Sequence, residues 1–341
     1  MQVTRSYKAA GFDLPNHREG HRFFNPYAGN VSRSLWDVLK WKFGRYTNPK
    51  DRLPPPKKFS FPQEPYPEPG FSGPSLCWIN HDTFSIRCLE RTVLTDPIWS
   101  RYAACFPGLG PRRRIPPGIP FNDLPPVHVI LISHNHYDHL DLSTVRRLQD
   151  RYPQATFCVP LGLKKWFTHR VISRVVELDW LESVTLWDQE ASIVVTAIPA
   201  QHWSGRGIFD RCRSLWCGYI VDFCSNHTVH RRVAYLGDTG YDPNLFTQIG
   251  ERFGPVDLSL IPIGAYAPRA FMQPVHLNPE EAVRVHTELR SKLSIAGHFG
   301  TFRLSDEPLS RPPYDLFLAL RDAGIDWRHF RVLEPGRAIS W

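Results

Sequence analysis

An α/β fold is predicted for most of this 341-residue chain, on three observations. Short apolar, β-branched runs recur at residues 127–132, 192–198, 232–236, 258–263 and 294–296. Helical periodicity falls between them, over residues 141–152, 279–289 and 314–323. The composition, 42% apolar and 22% charged, is that of a globular protein able to bury a full core. Strands interleaved with helices pack as layers.

Residues 1–74 read as an N-terminal arm or linker, and residues 75–341 as the folded domain. Pro54-Pro55-Pro56 and the spaced prolines from Pro62 to Pro74 favour extended, semi-rigid backbone. Within the arm, residues 34–43 (SLWDVLKWKF) predict a short helix. Leu35, Trp36, Leu39 and Phe43 share one of its faces, with Lys40 and Lys42 off it. The run 127–132 is almost wholly apolar, which predicts a strand buried on both faces. Asp141 caps the helix that follows, and Pro279 opens another at its first turn.

A net charge of +8 favours anionic partners: nucleic acid, anionic lipid headgroups or a phosphorylated substrate. Charge alone fits a merely soluble basic protein equally well. Seven cysteines, an odd number without a C-x-x-C pair, argue against a disulfide framework or a structural zinc site. Cys77, Cys88 and Cys158 sit in apolar runs, where free cysteine acts as a small hydrophobe, so a reducing compartment is expected. The first residues lack the apolar stretch of a secretory signal, and no segment is long enough to span a bilayer. The expectation is an intracellular protein, soluble or peripherally membrane-associated.

The chemistry concentrates where the apolar strand stops. After Ser133 come His134, His136, Asp138 and His139 within six residues. Imidazoles and a carboxylate suit zinc or another first-row divalent ion. The spacing His-x-His-x-Asp-His lets the first pair converge on one ion and the second pair on another. Three further candidates follow later strands: His202, Asp238 in Leu236-Gly237-Asp238-Thr239-Gly240, and His298 in Gly297-His298-Phe299-Gly300. Open α/β sheets place their sites at strand ends. A lone histidine is ordinarily a core or surface residue, but seven such groups, each just past a strand, point to a dinuclear centre.

This constellation resembles the five-motif signature of the metallo-β-lactamase superfamily. The resemblance implies a four-layer αββα fold over residues 76–341 and two Zn2+ ions per subunit. It implies that His134, His136 and His202 hold one zinc and Asp138, His139 and His298 the other, with Asp238 bridging. Asp138 and Asp238 are then catalytic as well as ligating. Asp96, in Leu94-Thr95-Asp96-Pro97, matches the first-motif aspartate, which orients a ligand from behind. A hydroxide shared by two zincs is a nucleophile at neutral pH, and the same ions stabilise charge developing on the substrate. The chain has neither a G-x-S-x-G elbow nor a phosphate-cradling glycine loop.

The flanking phrases are more selective. Tyr137 stands inside the metal motif, and the chain carries Ala200-Gln201-His202-Trp203, Gly237-Asp238-Thr239-Gly240-Tyr241 and Pro262-Ile263-Gly264-Ala265-Tyr266. With His276-Leu277-Asn278-Pro279-Glu280-Glu281-Ala282 and His298-Phe299-Gly300-Thr301-Phe302, they closely resemble the N-acylphosphatidylethanolamine-hydrolysing phospholipase D family, in order, from about Trp78 to Thr301. That resemblance implies attack of the metal-bridging hydroxide on phosphorus, releasing N-acylethanolamine and phosphatidic acid. It also implies that Tyr137 and His276 contact the N-acylethanolamine portion. Taken alone, Tyr137 fits packing beside the metal motif equally, and His276 fits a feature of its helix start.

The chain departs from the family at Asn80 and Asp82, in Trp78-Ile79-Asn80-His81-Asp82-Thr83, and at Ala267 and Ala270. None is a proposed ligand, so the departures bear on the acyl channel or dimer surface rather than the reaction. In the polar stretch 222–232, His227 and His230 are expected to be exposed loop residues.

A phospholipid substrate implies a membrane surface as partner. The helix at 34–43 would rest there with Trp36 and Trp41 at headgroup depth, and Arg112-Arg113-Arg114 would attract anionic lipid. The alternative is that the arm packs on its own domain or on a partner subunit, and the family resemblance implies a homodimer. No base-stacking module is present, so nucleic acid is not an expected partner. Two rival functions remain: another hydrolase on the same scaffold, such as a sugar-phosphate lactonase or a nucleic-acid phosphodiesterase, and a non-catalytic lipid-binding protein.

Overall fold

Residues 127–132 show how one sequence pattern builds the layers. Val129 and Leu131 point into one buried cluster, while Ile130 and Ile132 point into another. The strand is buried on both faces, as its composition predicts.

The computed structural model describes residues 3–6, 15–26, 28, 31, 35–46, 48–67, 73–106, 108–187, 191–207 and 209–341. In chain order the elements are β1 (Val3–Ser6), the hairpin β2 (Arg18–Glu19) and β3 (Arg22–Phe23), helix α1 (Leu35–Lys42), then β4 (Ser75–Asn80), β5 (Thr83–Cys88), β6 (Arg91–Thr95) and β7 (Val129–Leu131). Next come α2 (Leu142–Arg151), β8 (Thr156–Pro160), α3 (Lys164–Thr168), β9 (Val175–Leu178), β10 (Ser183–Trp187), β11 (Ala191–Ile198), β12 (Gly218–Ser225) and β13 (Thr228–Tyr235). The last third holds α4 (Pro243–Phe253), β14 (Val256–Pro262), α5 (Arg269–Met272), α6 (Pro279–Glu288), β15 (Ser291–Gly297), α7 (Arg311–Asp322), β16 (Phe330–Arg331) and β17 (Ala338–Ser340).

Two sheets face each other. One has eight strands in the order β1-β10-β11-β12-β13-β14-β15-β16, and the other has seven, β17-β4-β5-β6-β7-β8-β9. Between them Trp78, Phe84 and Ile86 meet Tyr219, Val221 and Tyr235. On the outer face of the larger sheet, Ile220, Ala234 and Ile261 pack under Leu245 and Ile249 of α4, Val285 of α6 and Leu316 of α7. On the outer face of the smaller sheet, Ile130 and Phe157 pack under Val145 and Leu148 of α2 and Phe167 of α3. Each fully buried side chain of this kind contributes about 1.5–3 kcal/mol. The result is the four-layer αββα arrangement.

The caps act where expected. Asp141 accepts the Ser143 N–H, and Asn278 and Glu281 form a reciprocal capping box on α6. Helix α7 starts at Arg311, three residues before the periodicity suggested, because prolines suit a first turn whose N–H groups need no partner. Helix α4 is an addition to the predicted set. Its Gly250 lowers helix propensity by about 1 kcal/mol, yet the position demands it: a Cβ there would lie 1.8 Å from the Glu288 carbonyl oxygen.

Much of the segment 1–74 packs on the domain. β1 extends the larger sheet beside β10. Phe23 enters the inter-sheet core and Phe61 the core beneath the helices. His17 Nε2 meets Asp179 Oδ1 at 2.8 Å, with its ring stacked on Trp180. Helix α1 exposes Trp36 (65%) and Leu39 (45%), and Phe43 (85%) is exposed in the turn just beyond its end. Trp41 differs from the expectation. Its ring stacks on Phe271 at 5.1 Å and its Nε1–H donates to Asp306, so it faces the domain. Ser34, expected to start this helix, lies outside the described residues.

The basic run is likewise partly consumed. Arg113 donates to the carbonyls of Ser100 and Ile98 and lies over the Phe302 ring, leaving Arg112 and Arg114 exposed. His227 and His230 are both exposed, but only His227 lies in the β12–β13 turn; His230 is in strand β13, because the polar stretch expected as a loop continues the sheet. All seven cysteines are free. Among the described residues, no helix is long and apolar enough to cross a membrane.

Candidate metal centre

The strand–turn–helix junction after β7 presents its side chains to the gap between the sheets' ends. His134 Nε2 lies 2.8 Å from His136 Nδ1, which lies 3.2 Å from His202 Nε2. Asp238 Oδ2 stands 3.8 Å from His134 Nε2 and 3.5 Å from His202 Nε2. The same carboxylate faces the second group: Oδ2 is 3.3 Å from His139 Nε2, and Oδ1 is 3.0 Å from His298 Nε2. Asp138 Oδ2 lies 3.4 Å from His139 Nε2 and 3.5 Å from His298 Nε2. All seven residues singled out from the sequence therefore meet, with Asp238 in reach of both groups.

The donor set fits two divalent cations. Nitrogens on one tetrahedral ion with bonds of about 2.0–2.1 Å stand roughly 3.3 Å apart, close to the spacing here. The Nε2 atoms of His139 and His298 are buried without hydrogen-bond partners, an arrangement that costs stability unless a cation takes their lone pairs.

The electrostatics agree. Burial drives His134 well below its ordinary value and takes His136 and His202 down to about 3, leaving three neutral imidazoles. For Asp238 burial opposes ionisation, yet His298, His139 and His276 hold it well below the usual carboxylate range. Asp138 is held down against burial first by the nearby His139, with His298 and His81 adding to the effect. His139 is raised well above its usual value because Asp238, Asp138 and Asp96 outweigh its burial. Two carboxylates thus attract positive charge that a metal ion can supply in place of protons.

Asp96 stands behind the cluster. Its Oδ2 meets His139 Nδ1 at 2.6 Å, and its Oδ1 accepts the Ser133 N–H at 2.7 Å. His298 adopts φ +58 and sits against Gly264, where a Cβ would lie 2.0 Å from the His298 carbonyl oxygen. Glycine is therefore required in the Pro262–Tyr266 phrase.

His276 and Tyr137 are placed differently. His276 lines a pocket of about 270 Å³ beside the cluster, its Nδ1 3.9 Å from Asp238 Oδ2. Burial takes it down to about 4, so it is neutral at neutral pH. Tyr137 is not among that pocket's lining residues. Its hydroxyl donates to the Arg206 carbonyl at 3.0 Å, and the Arg206 guanidinium lies 3.9 Å over its ring.

Two functional residues escaped the sequence reading. Arg206 Nη1 donates to the carbonyls of Asn135 (2.9 Å) and Leu140 (2.7 Å), clamping the metal loop from outside. His81 brings Nε2 to 3.0 Å from Asp138 Oδ2, and His81, Asp138, His139 and His298 offer ligand atoms within 4.8 Å of one another. The phrase Trp78–Thr83 carried that signal, but the spacing to His134 did not. Among the departures, Asn80 is buried with Nδ2 donating to the Ile98 carbonyl. Ala267 is buried too, and its N–H donates to Glu307.

A family model described as Beta-lactamase superfamily domain matches residues 91–299. The chain is 39% identical over 275 residues to N-acyl-phosphatidylethanolamine-hydrolyzing phospholipase D 1 of Caenorhabditis elegans, covering 79% of this chain and 76% of that one. It is 35% identical over 221 residues to the mitochondrial N-acyl-phosphatidylethanolamine-hydrolyzing phospholipase D of Saccharomyces cerevisiae, covering 64% of this chain and 46% of the yeast protein. A solved structure, a possible metal-dependent hydrolase from Veillonella parvula, superposes with TM-score 0.59 at 17% identity, covering 79% of this chain and all of that one. The chain is a metal-dependent hydrolase of the metallo-β-lactamase superfamily and belongs, within it, to the family of the N-acylphosphatidylethanolamine-hydrolysing phospholipases D.

Proposed function

We propose that this protein is a zinc-dependent phospholipase D that cleaves N-acylphosphatidylethanolamine at its distal phosphodiester. The observation that carries the reading is that a single pocket holds both polar and apolar partners for such a lipid. His136, Asp138, His202, Asp238 and His276 line it together with Val31, Trp41, Phe271, Met272, Val275 and Leu304. Acyl methylenes suit such walls, at about 0.8 kcal/mol per buried CH2.

The two ions, when bound, lower the pKa of water and neutralise charge on a phosphate. The chain's own residues then fix the geometry. His134, His136 and His202 would hold one ion with neutral imidazoles, Asp138, His139 and His298 would hold the other, and Asp238 stands within reach of both groups. His276, neutral and facing the pocket, offers an N–H hydrogen bond to an oxygen of the substrate rather than a proton. In the reaction one water adds to phosphorus, and the bond from phosphorus to the N-acylethanolamine oxygen breaks. The leaving oxygen takes a proton derived from that water, and the products are N-acylethanolamine and phosphatidic acid.

The substrate lies in a bilayer, and α1 suits that surface. Trp36, Leu39 and, just beyond the helix end, Phe43 point outward while Trp41 of α1 lines the pocket. Anionic lipid would meet the exposed Arg112 and Arg114.

The test is to incubate purified protein with N-acylphosphatidylethanolamine, phosphatidylcholine, a lactone panel and RNA. Release of N-acylethanolamine with phosphatidic acid, lost in Asp238→Asn, is the expected result. Turnover of a lactone or RNA alone would overturn the substrate assignment. Metal analysis of the same preparation identifies the ion.

A further inference from the structure

His202 is held in place differently from the other proposed ligands. His134, Asp238 and His298 come just after β7, β13 and β15, and His136, Asp138 and His139 occupy the turn before α2. The adjoining strand ends hold the first three, and the turn before α2 is clamped by Arg206 through the Asn135 and Leu140 carbonyls. His202 lies in the long irregular stretch between β11 and β12, where no ladder holds the chain. Its backbone groups are nevertheless both engaged, by one side chain. Asn25 Nδ2 donates to the His202 carbonyl at 2.8 Å, and the His202 N–H donates to Asn25 Oδ1 at 3.1 Å.

Asn25 is 4% exposed and lies 177 residues earlier in the chain. An asparagine amide carries one donor and one acceptor edge, so it mimics the backbone of a missing neighbouring strand. Its own position is fixed nearby. The Phe23 N–H donates to the Cys212 carbonyl at 2.8 Å, and the Phe23 ring is buried in the inter-sheet core. On the other side, His202 Nδ1 meets the Val275 carbonyl at 3.0 Å, which turns Nε2 toward His134 and His136.

We infer that Asn25 is a positioning residue of the metal centre: it holds the backbone of His202, so the N-terminal segment is part of the ion-binding unit. The inference rests on His202 being a metal ligand. Outer partners of ligands typically matter by about 10–100-fold in metal affinity, and losing this clasp also orphans two buried backbone groups.

The experiment compares full-length, metal-loaded wild type with Asn25→Asp, Asn25→Ser and His17→Asn. Asn25→Asp is nearly isosteric; it keeps the acceptor for the His202 N–H but sets a second oxygen against the His202 carbonyl. Asn25→Ser removes the clasp and leaves room for water. His17→Asn loosens the same segment at its contact with Asp179 and Trp180, away from the ligands. Metal equivalents are measured after dialysis against a graded chelator series, with cobalt-substituted spectra reporting the ligand field and circular dichroism reporting the fold.

Folded Asn25 variants are expected to lose one ion at roughly 10- to 100-fold lower chelator concentration, with an altered cobalt spectrum. His17→Asn should retain both ions as wild type does. The inference is overturned if a folded Asn25 variant keeps both ions with wild-type resistance. The role of the Asn25 clasp is equally overturned if His17→Asn loses metal to the same degree, since docking of the segment as a whole, and not Asn25, would then hold the ion. A wild type that binds no metal would refute the metal-centre reading itself. None of these readouts depends on the lipid substrate.

Discussion

Nδ1 of His139 lies 2.6 Å from Oδ2 of Asp96, and both side chains are completely buried. The same carboxylate accepts the Ser133 N–H and hydroxyl and the Tyr235 hydroxyl. With Nδ1–H engaged, the lone pair on Nε2 is directed at the gap between Asp138 and Asp238. Asp96→Asn would turn an N–H toward one of these donors and loosen the ring. Retention of the ion held by His139 should fall by about 10–100-fold, read as a drop toward one ion per chain in metal analysis after dialysis. Unchanged metal content in a folded variant would count against this role.

Arg206 restrains the other side of the loop. Its guanidinium reaches the carbonyls of Asn135 and Leu140 from between Tyr137 and Trp166. Lysine keeps the charge but loses the planar fork and the stacking. Arg206→Lys should therefore lower stability by about 1–3 kcal/mol, the cost of orphaning a buried acceptor. Thermal midpoints compared at matched metal content test it, since bound ions shift the midpoint on their own.

The seven residues of the metal-centre cluster were legible because each is a chemically distinctive residue near the end of a locally readable strand. Asn25, Arg206 and Glu307 were not, because nothing local marks them. Asn25 matters through a contact 177 residues away, and Arg206 through carbonyls some 70 residues back. Glu307 holds the N–H groups of Ala265 and Ala267 from a stretch with no regular structure. Trp41 misled for a different reason. Trp41 lies off the face shared by Trp36 and Leu39, and periodicity does not say which side of an eight-residue helix meets the domain; the packing of Phe271 decides that Trp41 turns inward. The arginine run read as three equivalent cations until Arg113 was drawn into two carbonyls.

Glu307 itself is testable. Both carboxylate oxygens accept backbone N–H groups, at 2.7 Å from Ala265 and 3.0 Å from Ala267, behind the Gly264 contact with His298. In Glu307→Gln one oxygen becomes an NH2 facing an N–H. A destabilisation of about 1–3 kcal/mol is expected, measurable as a lowered chemical-denaturation midpoint.

His286 gives a pH dependence with a defined sign. It is buried against Phe330, with Nδ1 2.8 Å from Ser294 Oγ, and burial, followed by the charge of His329, lowers it from 6.5 to about 4. Between those values the unfolded chain binds a proton that the folded protein excludes. Stability from this residue is therefore whole above about pH 6.5 and lost as pH falls toward 4, by at most about 3 kcal/mol. His286→Gln can still bond Ser294 but does not titrate. The stability gap between wild type and variant should stay constant above pH 7 and shift in the variant's favour below pH 6. A pH-independent gap would show that the ring is not neutral in the folded state.

Leu304 separates pocket shape from metal chemistry. It is half-buried and lines the pocket, packed at its base against Ile98, Ala103 and Phe302, and it is not a proposed ligand, so a larger side chain there narrows the cavity without removing a ligating group. A pocket of about 270 Å³ has little room to spare for an indole beside an acyl chain. Leu304→Trp is expected to raise KM for a long-chain N-acylphosphatidylethanolamine several-fold, while metal content and turnover of a small water-soluble phosphodiester stay at wild-type levels. Equal losses on both substrates would mean that the substitution disturbs the ions rather than the apolar wall. No change on either would place the acyl chain outside this pocket.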